Sequence, residues 1–214
     1  MVKVRERLGA LLLVTGMVWG ASASSAGGGK AQPADLVDAT QLVPDLVLDM
    51  RYATENNFLK RKLYSVGRCL LRRHAAEQLK RAADALREKG FRVVAWDCYR
   101  PHSVQKLMWE AVPRRGYVAP PQPGSVHNRG GAVDVSLADL QGKHVPMPTD
   151  FDDFTTRANL HSMNHPKDVM QRRQVLRDAF EGAGFTGIRS EWWHFEASGA
   201  RQFPVLDVPL EDVP

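Results

Sequence analysis

The sequence is poor in the features that mark fibrous, disordered or repetitive proteins. Of its 214 residues only 13 are proline, 17 glycine and 2 cysteine, while 43% are hydrophobic and 25% charged. This composition excludes a collagen-like, low-complexity or disordered chain, and no internal repeat is visible. The length agrees with one domain, large enough to bury a core and a cleft.

Two signs of nucleotide or nucleic-acid binding are also missing. No glycine-rich phosphate loop follows a predicted strand, which argues against a doubly wound nucleotide-binding fold. The net charge is +5, of which Lys3, Arg5, Glu6 and Arg7 together supply +2, and the other basic residues are scattered along the chain. Nucleic acid is therefore not an expected partner.

A long apolar run is absent, but a short one lies near the N-terminus. Basic residues precede the stretch 8–19, which is too short to span a bilayer comfortably, and small residues follow at 21–23. A buried core helix would show a similar run, but the Ser, Ala and Gly residues that follow it favour an export signal. We expect residues 1–26 to be a signal peptide that is cleaved after Ala23 or Ala26.

Export shapes the expected organisation of the rest of the chain. No cysteine lies near the cleavage site, so a lipoprotein anchor is not expected, and the mature chain would be periplasmic or secreted without a stable membrane anchor. We expect residues 27–41 to form a flexible lead-in and residues 42–214 to form the folded domain. The sequence leaves the oligomeric state open.

The two cysteines, Cys69 and Cys98, would face an oxidising compartment after export. Cys69 precedes a predicted helix and Cys98 ends the strand that follows this helix, which favours a disulfide between them. Two buried free thiols are an alternative, and a catalytic Cys98 beside His102 is another.

The spacing of apolar residues predicts an α+β fold. The predicted elements are helices at 69–89, 101–111 and 166–183, an extended segment at 42–52, and strands at 91–97, 132–137 and 192–196. Short strands alternate irregularly with helices, so we expect one domain with a small, mostly antiparallel central sheet flanked by helices.

Two short motifs carry side chains of the kind that bind metals. In the first, His127 ends a loop and Asp134 lies on the polar face of a predicted strand, with Gly130 and Gly131 allowing a tight turn between them. A histidine nitrogen and a carboxylate oxygen suit Zn²⁺, although such a pair taken alone is more often a hydrogen-bonded contact.

The second motif is Glu191-Trp192-Trp193-His194. His194 could complete a His, Asp, His ligand set and leave a fourth position open, as catalytic zinc requires. Glu191 is not needed as a ligand, and a carboxylate beside zinc-activated water is the usual general base of peptide hydrolysis. We expect Glu191 in a turn or bulge just before the strand. The alternative is an aromatic core strand with incidental polar residues.

A third element, Trp96 to Pro101, lies where a predicted strand ends and a helix begins. Arg100 there would bring a fixed positive charge to the edge of a cleft, suited to a developing oxyanion. An arginine at such a junction is more often a surface residue or part of an ion pair, and spacing alone leaves both interpretations open.

Together these motifs resemble the zinc-dependent D-alanyl-D-alanine dipeptidases of the VanX type, which are related to zinc D,D-carboxypeptidases. The matching segments follow the family's order over nearly all of the mature chain, at 51–54, 57–58, 97–101, 125–134, 145–147, 151–152 and 191–194. The resemblance implies one Zn²⁺ per chain on His127, Asp134 and His194. It also implies that Glu191 is the catalytic base and that Arg100 stabilises the transition state.

The resemblance further implies how substrate is held. Asp152 matches the acidic residue that receives the substrate's free amino group, and Tyr52 and Ser125 match positions near the substrate pocket. The implied reaction is hydrolysis of the small D,D-dipeptide D-Ala-D-Ala to two D-alanines. The alternatives are a zinc D,D- or L,D-carboxypeptidase that trims longer peptidoglycan peptides, and a non-catalytic, zinc-stabilised binding module.

Two departures from the family pattern bear on substrate selectivity. Pro148 follows Met147 where the family commonly has glycine, and the segment between the second predicted helix and His127 looks shorter. An exported enzyme would not reach the cytoplasmic dipeptide pool, so we expect a role in recycling or scavenging wall-derived dipeptide.

Overall fold

The computed structural model describes residues 36–114 and 116–214. The predicted signal peptide, its cleavage site and residues 27–35 of the predicted lead-in lie outside the described residues. Within the described ranges, the helices are Arg73–Glu88 (α1), His102–Ala111 (α2) and Lys167–Gly182 (α3). No helix in this part of the chain is both long and apolar enough to cross a membrane.

The strands form one five-stranded sheet and one two-stranded sheet. In chain order they are Leu36–Asp38 (β1), Val47–Leu48 (β2), Leu70–Arg72 (β3), Phe91–Asp97 (β4), Ala132–Asp139 (β5), Phe185–Gly187 (β6) and His194–Ala197 (β7). The larger sheet has the order β2-β4-β5-β7-β6, in which only the β2–β4 pair is parallel, and β1 pairs with β3. The predicted α+β fold with a mostly antiparallel sheet is therefore confirmed.

Helices α1 and α3 pack against each other and against the larger sheet. The residues of α1 that face this interior recur at helical spacing and are fully buried: Ala75, Leu79, Ala82 and Leu86. From α3, Leu176 and Phe180 are buried in the same way. Burial of each large apolar side chain contributes about 1.5–3 kcal/mol, so this layer supplies much of the stability that holds the site.

An aromatic cluster fills the core next to the carboxyl end of β4. Trp96 lies 5.6 Å from Trp192 and 5.4 Å from Phe151, measured between ring centroids, and Phe151 lies 5.7 Å from Trp193. Both tryptophans of the Glu191-to-His194 motif are thus core residues, which agrees with part of the alternative interpretation of that motif. The polar residues at its two ends line a cavity instead.

Several predicted boundaries differ from the structure. The described end of the predicted lead-in, residues 36–41, is not flexible chain but β1 and a 3-10 helix, because β1 pairs with β3 and buries Leu36 and Ala39. The first predicted helix begins late, at Arg73, since residues 70–72 are used as β3. Strand β6 was not predicted, and β7 begins at His194 rather than two residues earlier.

Cys69 and Cys98 form a disulfide that joins the residue before β3 to the residue after β4, with a Cα–Cα distance of 5.1 Å. Both cysteines are fully buried. Two further backbone hydrogen bonds fix this region, from Tyr99 N to Leu70 O and from Ala39 N to Cys69 O, both at 2.8–2.9 Å. The bridge therefore anchors the segment from which Arg100 projects.

Candidate metal and catalytic site

Three adjacent strands align acidic and imidazole groups in one row. Asp134 of β5 pairs directly with His194 of β7 on one side and with Asp97 of β4 on the other. Residues directly opposite on neighbouring antiparallel strands point to the same face of a sheet, so the three side chains lie together. A register shift between Ala95 and Asp97 marks an irregularity of β4 that brings Asp97 opposite Asp134.

His127 reaches this row from the 3-10 helix His127–Arg129, which precedes β5. Its backbone N–H donates to Ser125 Oγ at 3.2 Å, and its ring Nδ1 lies 2.7 Å from the carbonyl oxygen of Cys98. A carbonyl accepts but cannot donate, so Nδ1 carries the proton. The opposite ring nitrogen, Nε2, is then free to bind a metal.

The chain between His127 and Asp134 turns through Gly130 and Gly131. Gly130 has a φ of +67°, and a Cβ there would lie 2.6 Å from Leu36 Cδ2. A Cβ on Gly131 would lie 2.4 Å from the Cβ of Ala200. Only glycine fits these positions without displacing neighbours, which explains how two residues so close in sequence meet at one site.

Three potential ligand atoms form a small triangle. His194 Nδ1 lies 2.9 Å from Asp134 Oδ1 and 3.1 Å from His127 Nε2, and the third side of the triangle is 3.3 Å. A tetrahedral zinc site with bonds of about 2.0–2.1 Å has ligand-to-ligand edges of about 3.3 Å. The size of the triangle and its two-imidazole, one-carboxylate chemistry therefore fit Zn²⁺, and all three residues are buried.

Burial and neighbouring charged groups set the protonation states of Asp134 and His194. Burial would raise the pKa of Asp134, but the neighbouring His127 and His194 hold it well below its usual range, so the group is a carboxylate. Burial would lower the pKa of His194, but hydrogen bonds with Asp134 and Glu196 raise it to about 10. Binding a metal at His194 must therefore release a proton.

Glu191 lies in the irregular segment just before β7, where a turn was expected, and lines the same cavity as the three candidate ligands. Burial raises the pKa of its carboxyl to about 6. A carboxylate with this pKa is ionised at neutral pH and still basic enough to accept a proton from an attacking water. The position and the pKa thus both suit a general base.

Arg100 is buried and held on two sides. Its Nε and Nη2 donate to Asp97 Oδ2 at 3.0 and 2.6 Å, and its Nη1 donates to Gln105 Oε1 at 2.8 Å. The guanidinium carbon also lies 5.1 Å from the ring centroid of Tyr52. These contacts exclude the surface-residue interpretation and show the ion-pair alternative, with Asp97 as the partner that holds the positive charge in the cavity wall.

Asp152 occupies another wall of the cavity. It accepts hydrogen bonds from Tyr52 OH at 3.0 Å and from the backbone N–H of Phe58 at 3.3 Å. Burial raises the pKa of its carboxyl to about 7. Its φ of +58° is unusual for a residue other than glycine, and such conformations occur often where a ligand is held.

The cavity itself is small, about 160 Å³, and it brings every predicted site residue except the two cysteines together. These residues are Tyr52, Arg100, Ser125, His127, Asp134, Asp152, Glu191 and His194. Ser125 supports the turn that carries His127, since its Oγ and its backbone N–H are both engaged within this turn.

Three polar residues of the site had no role assigned from the sequence. Asp97 and Gln105 hold Arg100, and Glu196 Oε1 lies 3.6 Å from His194 Nε2. Glu196 could have been found, because it follows His194 by two residues on the same strand and so shares its face. Asp97 and Gln105 lie only three and five residues from Arg100, but nothing in the sequence alone shows that their side chains turn toward its guanidinium.

A buried ligand triangle suited to zinc, with a basic carboxylate and an arginine in the same small cavity, is the arrangement of a metal-dependent hydrolase. A protein-family profile described as D-ala-D-ala dipeptidase (Peptidase M15) matches residues 32–211. The chain belongs to this zinc-dependent peptidase family.

Individual relatives agree with this assignment. A D-alanyl-D-alanine dipeptidase of Escherichia coli (strain K12) is 35% identical over 172 residues, which cover 80% of this chain and 89% of the relative. The D-alanyl-D-alanine dipeptidases of Enterococcus faecium and Enterococcus faecalis are each 30% identical. They align with 72% and 77% of this chain and with 87% and 88% of their own lengths.

Proposed function

We propose that this protein hydrolyses the dipeptide D-Ala-D-Ala to two molecules of D-alanine. The observation that carries the proposal is the single cavity in which the candidate ligands, Glu191, Arg100 and Asp152 meet. Such a cavity combines ligands for a metal, a base and a carboxylate for a substrate ammonium within the space of a small peptide.

His127, Asp134 and His194 would hold one Zn²⁺ per chain, because their atoms match its preferred ligands and spacing. Bound there, Zn²⁺ supplies Lewis acidity toward the peptide carbonyl and lowers the pKa of water toward about 7. The tautomer of His127 needed for this binding is fixed by the carbonyl of Cys98.

The chain's own residues perform the proton and charge steps. Glu191 takes a proton from the attacking water as the new C–O bond forms at the peptide carbonyl. It then delivers that proton to the leaving amine as the C–N bond breaks, which yields two amino acids. Arg100, fixed by Asp97 and Gln105, stabilises the negative charge that develops on the carbonyl oxygen.

Asp152 favours dipeptides over longer peptides. Its half-buried carboxylate would pair with the free ammonium of the substrate, and Tyr52 and Phe58 already occupy its two oxygens from the protein side. A longer peptide would present a neutral amide to this carboxylate and would need space beyond it. These contacts favour the dipeptidase over a carboxypeptidase that trims longer wall peptides.

A zinc-stabilised module without catalysis is less consistent with the site. Such a module would need only the three ligands, and it would gain nothing from the half-buried Glu191 or the buried, charged Arg100 beside them. Burial of charged groups costs free energy, so their presence in the cavity is better explained by a reaction.

We infer that the protein is exported and acts on wall-derived dipeptide in recycling or scavenging. The basic and apolar N-terminal segment supports export, and the Cys69–Cys98 disulfide suits an oxidising compartment. Cell fractionation with N-terminal sequencing of the mature protein tests this inference. Full-length protein confined to the cytoplasm would contradict it.

The activity is tested with purified protein on a panel of Ala-Ala dipeptides that varies chirality at both positions, alongside metal analysis of the same sample. We expect one zinc per chain, D-alanine release from D-Ala-D-Ala, and little cleavage of L-Ala-L-Ala. N-acetyl-D-Ala-D-Ala and a wall pentapeptide complete the panel. Faster cleavage of the pentapeptide than of the dipeptide would favour the carboxypeptidase alternative.

A further inference from the structure

A second cavity lies next to the catalytic cavity. This second cavity, of about 180 Å³, shares three lining residues with the catalytic cavity, namely Tyr117, Phe154 and Glu191. Its other lining residues are small or polar: Gly116, Asp153, Thr155, Thr156, Asn159 and Ser190. Tyr117, Phe154 and Glu191 therefore lie between the catalytic cavity and additional space of similar size.

The rings of Tyr117, Phe154 and Phe58 pack against one another. The ring centroids of Tyr117 and Phe154 are 4.8 Å apart with an interplanar angle of 71°, and those of Phe154 and Phe58 are 5.4 Å apart at 74°. Both are edge-to-face contacts of the kind that aromatic pairs prefer. The guanidinium carbon of Arg114 also lies 3.9 Å from the Tyr117 ring centroid. Residues from three separate segments thus hold the rings as a wall, which we call the Tyr117–Phe154 wall.

The wall lies beside the carboxylate that receives the substrate ammonium. Phe154 follows Asp152 by two residues, and the backbone N–H of Phe58, whose ring contacts Phe154, donates to Asp152 Oδ2 at 3.3 Å. In a dipeptide the ammonium and the first side chain are attached to the same carbon. A substrate whose ammonium meets Asp152 therefore places its first side chain, not its second, near this wall.

We propose, on the basis of the function above, that Tyr117 and Phe154 select the size of the first residue of the dipeptide. The wall accepts a methyl group and excludes larger side chains from the second cavity. Shortening either aromatic side chain joins the two cavities and admits a bulkier first residue. Apolar pockets typically discriminate about 10- to 200-fold for each methylene that does not fit.

The test compares kcat/KM of zinc-loaded wild type, Phe154→Ala and Tyr117→Ala on D-Ala-D-Ala, D-Leu-D-Ala and D-Ala-D-Leu. We expect the ratio of D-Leu-D-Ala to D-Ala-D-Ala to rise at least about 10-fold in both alanine variants. The ratio of D-Ala-D-Leu to D-Ala-D-Ala should stay the same. Tyr117→Phe, which retains the ring, is the matched control and should keep the wild-type ratios.

The two variants lie in different loops, so one serves if the other fails to fold. An unchanged D-Leu-D-Ala ratio in the folded variants contradicts the wall as a size filter. A rise for D-Ala-D-Leu alone contradicts its assignment to the first residue. If wild type does not cleave D-Ala-D-Ala at all, the proposed function itself is wrong, which distinguishes that failure from a failure of this inference.

Discussion

The Nδ1 atom of His127 lies 2.7 Å from the carbonyl oxygen of Cys98, and Cys98 is disulfide-bonded to Cys69. This hydrogen bond orients the imidazole and assigns its tautomer, as partners behind a metal ligand commonly do. The disulfide thus supports the metal site through the backbone, although neither sulfur contacts a candidate ligand among the described residues. We therefore expect loss of the disulfide to affect both the stability of the protein and its affinity for the metal.

Replacing both cysteines by alanine should weaken zinc binding and lower stability together. The Cys98 carbonyl remains in the double variant but is no longer anchored, so we expect about 10-fold weaker zinc affinity. Loss of a bridge that spans 29 residues should reduce the free energy of unfolding by about 3–4 kcal/mol. Chelator competition and urea denaturation measure the two effects. Unchanged zinc affinity with reduced stability would show that the bridge does not support His127.

The pH profile of activity should report two carboxyl groups of the cavity, those of Glu191 and Asp152. Burial raises the pKa of Glu191 to about 6 and that of Asp152 to about 7, and both must be ionised in the free enzyme, one to accept a proton and one to bind an ammonium. We expect kcat/KM to fall as the pH drops through 7 and to fall more steeply below 6. In the enzyme–substrate complex the substrate's ammonium keeps Asp152 ionised. The pH dependence of kcat should therefore follow only Glu191, whose pKa is about 6. An acid limb that begins near pH 4 would contradict this assignment.

Asp152→Asn tests the ammonium contact with little change in shape, since asparagine also tolerates the positive φ at this position. Loss of a hydrogen bond to a charged group costs about 1.5–3 kcal/mol, so kcat/KM on D-Ala-D-Ala should fall at least about 10-fold. The activity on N-acetyl-D-Ala-D-Ala, which carries no ammonium, should change less. Equal losses on both substrates would refute this role. The ionisation near pH 7 should also disappear from the kcat/KM profile of Asp152→Asn, because the variant has no carboxyl at this position.

Gln105 should position Arg100 for the reaction. Its Oε1 accepts from Arg100 Nη1 at 2.8 Å, and its Nε2 donates to Ala119 O at 2.7 Å, which ties the guanidinium to the cavity wall. We expect Gln105→Leu to lower kcat about 10-fold with little change in KM, less than the roughly 100- to 1000-fold loss for Arg100→Ala. Gln105→Glu keeps the acceptor for Arg100 Nη1 but loses the donor to Ala119 O, so it should restore only part of kcat. Equal losses in the leucine and glutamate variants would indicate a purely structural role.

The parts of the fold and the site that can be predicted from the sequence are those determined by short segments of the chain. Strand β4 has the bounds expected from its run of apolar residues, and α2 follows Pro101 as its sequence indicates. The candidate ligands stood out because His127 and Asp134 are separated by a glycine turn, and because His194 ends a short polar and aromatic motif. Each of these signals lies within about ten residues of the chain.

Features of the fold and the site that depend on contacts between distant parts of the chain could not be predicted from the sequence. Residues 36–41 look like flexible chain until β1 pairs with β3, whose sequence lies more than 30 residues away. The position of Asp97 directly opposite Asp134 depends on the register of β4 with β5 and on the irregularity in β4. Gln105 is held by a hydrogen bond to the carbonyl oxygen of Ala119, and the sequence spacing of the two residues does not predict this contact. In each case tertiary pairing, not local propensity, determines the outcome.

Glu191→Gln provides the most direct test of the account, because it keeps the size of the side chain and removes only its ability to accept a proton. D-alanine release from D-Ala-D-Ala is measured for wild type and variant at matched zinc content, with a chelator-treated wild-type sample as the second control. We predict the same zinc occupancy and a loss of about 100- to 10,000-fold in kcat. Retained activity in the zinc-loaded variant would contradict the assignment of Glu191 as the base and, with it, the proposed reaction at this site.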